Sequence, residues 1–252
     1  MEQEQDLSVC PFEVERAVMV HRWEHLTFLH WSFEPAVVQR LLPPGLEVEE
    51  YDGRAWVGLV PFFMHVATGG GRSVPWAAHF CETNVRTYVR DRDGRSGIWF
   101  FSLDAARLGA VVVARLTYRL PYFWSTMRVD FSDHRIDYSC HRMWPGPRGA
   151  KSSVAIEIGD PFAPDELGDL DHRLTAKWVL FSASGERRRF ARAWHAPWPL
   201  HRATVLECHD ELLQATGLPE PHGDPLVHYS PGVRVRIGQP ERYARSSQNE
   251  LR

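Results

Sequence analysis

The segment Glu82-Thr83-Asn84-Val85-Arg86-Thr87-Tyr88-Val89 holds the side chains in this sequence best suited to grip or transform a small molecule. In an extended strand, alternate side chains point to opposite faces, so Glu82, Asn84 and Arg86 share one face and Thr83, Val85, Thr87 and Val89 the other. Turned outward, the polar three are ordinary residues of a wet sheet face. Turned inward, they bring a carboxylate, an amide and a guanidinium to one cavity, with Arg86 able to take a ligand carboxylate by two parallel hydrogen bonds. Further along, Phe100, Ser102 and Asp104 share a strand face opposite Trp99, Phe101 and Leu103, which adds Ser102 as a candidate binding residue. Asp104 is placed to cap a helix starting at Ala105, a position where Asp is strongly favoured. His30 and His228 complete the candidate binding set. His228-Tyr229-Ser230-Pro231-Gly232 and His195-Ala196-Pro197-Trp198-Pro199 read as Pro-bounded turns, in which loop positioning or a satisfied buried His is the simpler role.

The familiar catalytic signatures are missing: there is no GxSxG elbow, HExxH, P-loop or GxGxxG, and Gly69-Gly70-Gly71 reads as a loop. His21 and His25 have the spacing of helical metal ligands. Their surroundings alternate like a strand, however, which would separate them by about 13 Å. No metal and no cofactor is expected.

Composition narrows the class. The 252 residues carry a formal charge of -3, with 2 Lys against 27 Arg, and are 44% apolar, enough to fill a large core. No linker divides them, so one domain over residues 1–252 is expected. The basic run Arg187-Arg188-Arg189 with Arg192 reads as a solvated strand end in a slightly acidic chain, so no nucleic-acid partner is expected. Cys10, Cys81, Cys140 and Cys208 are widely spaced without a CxxC pair, and the acidic start lacks the pattern of a signal peptide, which together imply a cytoplasmic protein with reduced thiols. No apolar stretch is long enough for a membrane-spanning helix. The 10 Trp suit self-association and a large core equally, so a homo-oligomer is possible.

The elements that must hold these side chains are mainly strands. Apolar alternation marks strands over 12–20 and 23–31, then a short helix over 34–42 that starts at a proline and stops at Pro43-Pro44-Gly45. Two hairpins follow, 46–50 with 55–65 across Asp52-Gly53, and 81–90 with 97–103. A helix over 105–118 is expected to bury a stripe of Leu108, Val111, Val112 and Leu116. Strands over 124–131, 134–142 and 152–158 have the regular spacing of a meander or barrel. A helix over 165–176, strands over 188–195 and 202–208, a short helix over 210–215 and a closing strand over 232–238 lead to a polar tail from 242.

Phe28-Leu29-His30-Trp31, Leu42-Pro43-Pro44-Gly45-Leu46, Asn84-Val85-Arg86-Thr87-Tyr88-Val89, Trp99-Phe100-Phe101-Ser102-Leu103-Asp104, Leu120-Pro121-Tyr122 and His228-Tyr229-Ser230-Pro231-Gly232 together resemble the domain of unknown function 2071 family over residues 21–237. That family looks related to acetoacetate decarboxylase. The resemblance implies a mostly β (α+β) fold, a closed antiparallel β-barrel with a few flanking helices around a small-ligand cavity. It also implies a glutamate at the position of Glu82. The decarboxylases carry a Schiff-base lysine after a tyrosine-proline pair, activated by the next lysine. Here Tyr122 stands at the first of those positions and Phe123 at the second, and the only lysines, Lys151 and Lys177, lie elsewhere as expected surface residues. Imine chemistry is therefore not expected.

Three readings remain open. In the first, an enzyme acts on a small carbonyl or carboxylic compound, with Arg86 orienting the carboxylate while Glu82 and Tyr122 handle protons. In the second, a binding module holds an organic acid or hydrophobic metabolite and no bond changes. In the third, Glu82 and Arg86 form an internal ion pair that fixes strand register.

Overall fold

A computed structural model describes residues 6–71, 79–117, 120–184 and 187–242 of the chain. Fourteen strands and three α-helices alternate along the described residues: β1 Met19–Phe33, α1 Pro35–Gln39, β2 Leu46–Val48, β3 Glu50–Tyr51, β4 Arg54–Thr68, β5 His79–Asp91, β6 Ser96–Ala105, α2 Leu108–Thr117, β7 Tyr122–Ser132, β8 Arg135–Trp144, β9 Lys151–Pro161, α3 Asp169–Thr175, β10 Val179–Ser184, β11 Arg187–His195, β12 His201–Asp210, β13 Leu226–Ile237 and β14 Glu241–Arg242. The fold is mostly β.

All fourteen strands belong to one sheet, ordered β14-β11-β10-β6-β7-β8-β9-β12-β13-β1-β4-β5-β2 with β3 paired to β4 off this path, and further β5–β6 and β11–β13 pairings make it ring-like. Not every pairing is antiparallel as expected: β6 runs parallel to both β7 and β10. The parallel β6–β7 step requires a crossover, and α2 supplies it.

Two apolar cores lie on opposite faces of the shared strands. One gathers Leu29, Trp31, Val57, Leu59, Val85, Ile136 and Ile156, and the other gathers Leu26, Phe28, Val60, Phe62, Phe80, Val111 and Trp198. Central strands such as β5 are thus buried on both sides. Glu82, Asn84 and Arg86 on one face, and Thr83, Val85, Thr87 and Val89 on the other, are all buried.

Several expected elements are shifted. Residues 12–18 are irregular, and the first strand is a single long one from Met19. The helix expected over 34–42 is only Pro35–Gln39, that over 165–176 splits into a 3-10 turn and α3, and that over 210–215 is a 3-10 turn at Gln214–Thr216. Strand β10 was not foreseen. Helix α2 begins at Leu108, so Asp104 caps nothing; it lies inside β6. The expected inward stripe of α2 is also wrong. Only Val111 is buried, whereas Leu108, Val112 and Leu116 are 46%, 37% and 73% exposed. The face toward the sheet uses Ala110 and Ala114, whose small side chains leave space beneath the helix. Tyr118 and the tail beyond Arg242 lie outside the described residues.

Candidate functional site

Small residues beneath α2 and large ones on the sheet leave a cavity of about 440 Å³. Its wall is largely apolar, with Leu26, Phe62, Met64, Phe80, Phe100 and Leu103 prominent, and Glu82, Asn84, Arg86 and Tyr122 face into it. Strand register explains the grouping. Glu82, Asn84 and Arg86 alternate along β5 opposite Phe62, Val60 and Gly58 of β4, while the parallel β6–β7 pairing brings Tyr122 beside Leu103, the partner of Asn84.

The Tyr122 hydroxyl donates to Glu82 Oε2 at 2.9 Å. Burial pushes the Glu82 carboxyl up to about 8, partly offset by the Tyr122 bond and reinforced by the negative charge of nearby Asp104. At neutral pH Glu82 is therefore largely a protonated acid. Burial and the adjoining Glu82 raise the Tyr122 phenol well above its ordinary value, so it too remains a donor.

Arg86 is 4% exposed, yet no carboxylate pairs with it among the described residues. Its Nη2 donates to the Leu174 carbonyl at 3.1 Å, its guanidinium lies 5.3 Å from the Phe28 ring centre, and its Nε has no hydrogen-bond partner. The register ion pair between Glu82 and Arg86 is not formed. Asn84 Oδ1 is likewise buried without a partner. A buried cation and a buried acceptor left unmatched are costly unless something enters to meet them.

Beneath Arg86, His30 Nε2 is hydrogen-bonded to the Tyr88 hydroxyl at 2.5 Å, and that hydroxyl also donates to the Leu174 carbonyl. Burial, then the charge of Arg86, holds His30 well below the ordinary imidazole range, so its ring is neutral. Gly58 makes this layer possible, because a Cβ there would come within 2.9 Å of the His30 ring. His30 thus supports Arg86 from outside the cavity lining.

Ser102 and His228 are not part of the cavity wall. The β5–β6 register slips between Val85 and Arg86, making Phe101 an extra residue, so that Phe100 and Leu103 face the cavity while Ser102 and Asp104 turn to the other core. Asp104 there takes two bonds from Arg142, at 2.8 and 2.6 Å, and one from the Ser125 hydroxyl at 2.7 Å. The Arg142 guanidinium stacks 3.8 Å from the centre of Phe123. This buried cluster anchors the start of β7 through Phe123 and Ser125, and so Tyr122. His228 Nε2 lies 3.0 Å from Asp171 Oδ1 of α3.

Other residues arrive unforeseen. Arg189 of the basic run lines the cavity instead of being solvated, and Arg192 pairs with Glu241 at 3.0 Å. His21 lines the wall too, its ring driven by burial to about 4. Lys177 is not a surface residue: its Nζ reaches Glu49 at 2.5 Å and Ser96 at 2.7 Å. Neither lysine faces the cavity, so among the described residues no amine stands beside Glu82. The same residues hold no group of three or more metal ligands, and no described helix is long and apolar enough to cross a membrane.

A family model for an uncharacterized conserved protein, DUF2071, matches residues 20–234. The chain belongs to the DUF2071 family. A relative, the uncharacterized protein YqjF of Bacillus subtilis (strain 168), is 32% identical over 214 residues, covering 84% of this DUF2071 chain and 87% of its own length. Among solved structures, the acetoacetate decarboxylase-like enzyme from Sphingomonas wittichii RW1 aligns with a TM-score of 0.63 at 14% identity, over 92% of this chain and 94% of the other. The enduracididine biosynthesis enzyme MppR complexed with pyruvate aligns at 0.59 and 15% identity over 89% and 90%. Acetoacetate decarboxylase from Legionella pneumophila aligns at 0.60 and 11% identity over 93% and 92%. At such identities the likeness between DUF2071 and the decarboxylases is one of fold.

Proposed function

We propose that the ring-like sheet works as a closed barrel that admits a carbonyl-bearing organic acid and moves protons on it without forming an imine. The observation that carries this reading is the buried Arg86, which has no counter-charge among the described residues and faces the same 440 Å³ cavity as the hydrogen-bonded Glu82–Tyr122 pair. An entering carboxylate would supply the charge that Arg86 lacks, through its free Nε–H among other donors. The Glu82 carboxyl, protonated near neutral pH, and the Tyr122 phenol then face the carbonyl end of the ligand. Glu82 transfers its proton to the carbonyl oxygen while the Tyr122 hydroxyl hydrogen-bonds to that oxygen, and the resulting Glu82 carboxylate takes the proton from the adjacent carbon, giving the enol and restoring the protonated acid.

The solved neighbour complexed with pyruvate supports a keto acid as the ligand class. Tyr122 at the position of the decarboxylase lysine removes the covalent route while retaining a polar group there. The discriminating experiment follows hydrogen–deuterium exchange at the carbon beside the carbonyl of keto acids in deuterated buffer. Wild-type protein is expected to accelerate exchange, and Glu82→Gln and Tyr122→Phe to lose about a hundredfold or more. Saturable binding with no exchange would instead favour a non-catalytic carrier or sensor of organic acids.

A further inference from the structure

We infer that the cavity is built for an elongated acid, with its carboxylate and its carbonyl at opposite ends of an apolar body, and not for a compact keto acid in which the two groups are adjacent. This deepens the reading above and rests on it.

Three polar groups of the wall, Glu82, Asn84 and Arg86, lie in a line along β5, while His21, Tyr122 and Arg189 reach the wall from β1, β7 and β11. Arg86 is four residue steps along β5 from Glu82, which places their backbones about 13 Å apart, and Asn84 stands midway. The two ends do not converge. Arg86 is drawn toward the Leu174 carbonyl, which also receives the hydroxyl of Tyr88, the next residue on the same face and further from Glu82. Glu82 is held at its own level by Tyr122. With both side chains standing roughly perpendicular to the strand, their ends keep about that backbone spacing, and allowing a hydrogen bond of about 3 Å at each end leaves about 7 Å between the ligand atoms that meet the two sites. That is about five single bonds of roughly 1.5 Å.

Volume and wall chemistry agree. At about 30 Å³ for a water-sized group, 440 Å³ accommodates about fifteen, more than twice what pyruvate would occupy. Leu26, Phe62, Met64, Phe80, Phe100 and Leu103 make much of the wall apolar and suit an aromatic ring or alkyl chain. The unpartnered Asn84 Oδ1 favours a ligand with a hydroxyl or N–H near its middle.

Calorimetric titration with three probes tests the inference. 4-Acetylbenzoate holds its carboxylate and ketone across a rigid ring, phenylpyruvate has the apolar ring but adjacent polar groups, and pyruvate is compact. Wild type is expected to bind 4-acetylbenzoate at least tenfold more tightly than either keto acid, and Arg86→Met to lose that preference. 4-Acetylbenzamide on wild type provides a control independent of the variant's folding, and it is expected to bind at least tenfold more weakly than the acid. If phenylpyruvate or pyruvate binds as well as 4-acetylbenzoate in an Arg86-dependent way, the elongated-ligand inference fails and the organic-acid reading stands. If the amide binds as tightly as the acid, or no acid binds, the reading itself fails with it.

Discussion

Replacing Glu82 with glutamine should change how stability depends on pH. The carboxyl titrates at 4.5 in an ordinary setting and at about 8 in the folded protein, where burial disfavours its charge. Because the folded value is the higher one, the folded protein holds a proton that the unfolded chain has lost between those two pH values. The associated stability is fully present below about 4.5 and is lost progressively until about 8. At about 1.4 kcal/mol per pH unit the loss totals about 5 kcal/mol. Glutamine has the size of the protonated acid, can still accept from Tyr122, and does not titrate. Urea denaturation from pH 5 to 9 should therefore show Glu82→Gln close to wild type at pH 5 and more stable than wild type by about 5 kcal/mol at pH 9. In thermal melts that is about 10–20 °C for a chain of this length. Parallel curves for the two proteins would refute a protonated Glu82 at neutral pH, and with it the proton-donor role.

Other perturbations follow from the same contacts. Tyr122→Phe removes the bond that partly offsets burial, so the Glu82 titration should move further above 8, seen as an upward shift of the pH at which wild-type stability levels off. Asp104→Asn leaves Arg142 buried without its charge partner and should cost about 3–5 kcal/mol in urea denaturation, whereas Asp104→Leu with Arg142→Met should cost far less. Gly58→Ala sets a methyl against the His30 ring and should cost about 1–3 kcal/mol, with weaker acid binding as His30 and Arg86 shift.

The constellation on β5 was legible because a period of two needs no tertiary information: Glu82, Asn84 and Arg86 alternate over five residues, and the extra residue of the β5–β6 slip lies on β6. Tyr122 was found through the family resemblance, since nothing local to Leu120-Pro121-Tyr122 reveals that a parallel pairing places it beside Glu82. Ser102 was assigned to the wrong face because one extra residue at Phe101 inverts the alternation, and a bulge leaves no mark in composition. The stripe of α2 was misjudged for a related reason. Helical periodicity identifies an apolar face, but the helix turns Val111, Ala110 and Ala114 toward the sheet and exposes Leu108 and Leu116. Asp104 showed a capping preference that long-range pairing with Arg142 overrides, and Arg189 looked like part of a solvated run until the ring of strands turned it inward.

The most direct test of the account is a thermal-shift comparison of wild type and Arg86→Met against keto, hydroxy and aromatic acids and their neutral amides. A ligand at about a hundred times its dissociation constant adds about 2.7 kcal/mol, several degrees for this chain. The account predicts a shift from at least one acid, none from its amide, and loss of the acid's shift in Arg86→Met. An acid that stabilises both proteins equally, or an amide that matches its acid, would contradict recognition of a carboxylate at Arg86.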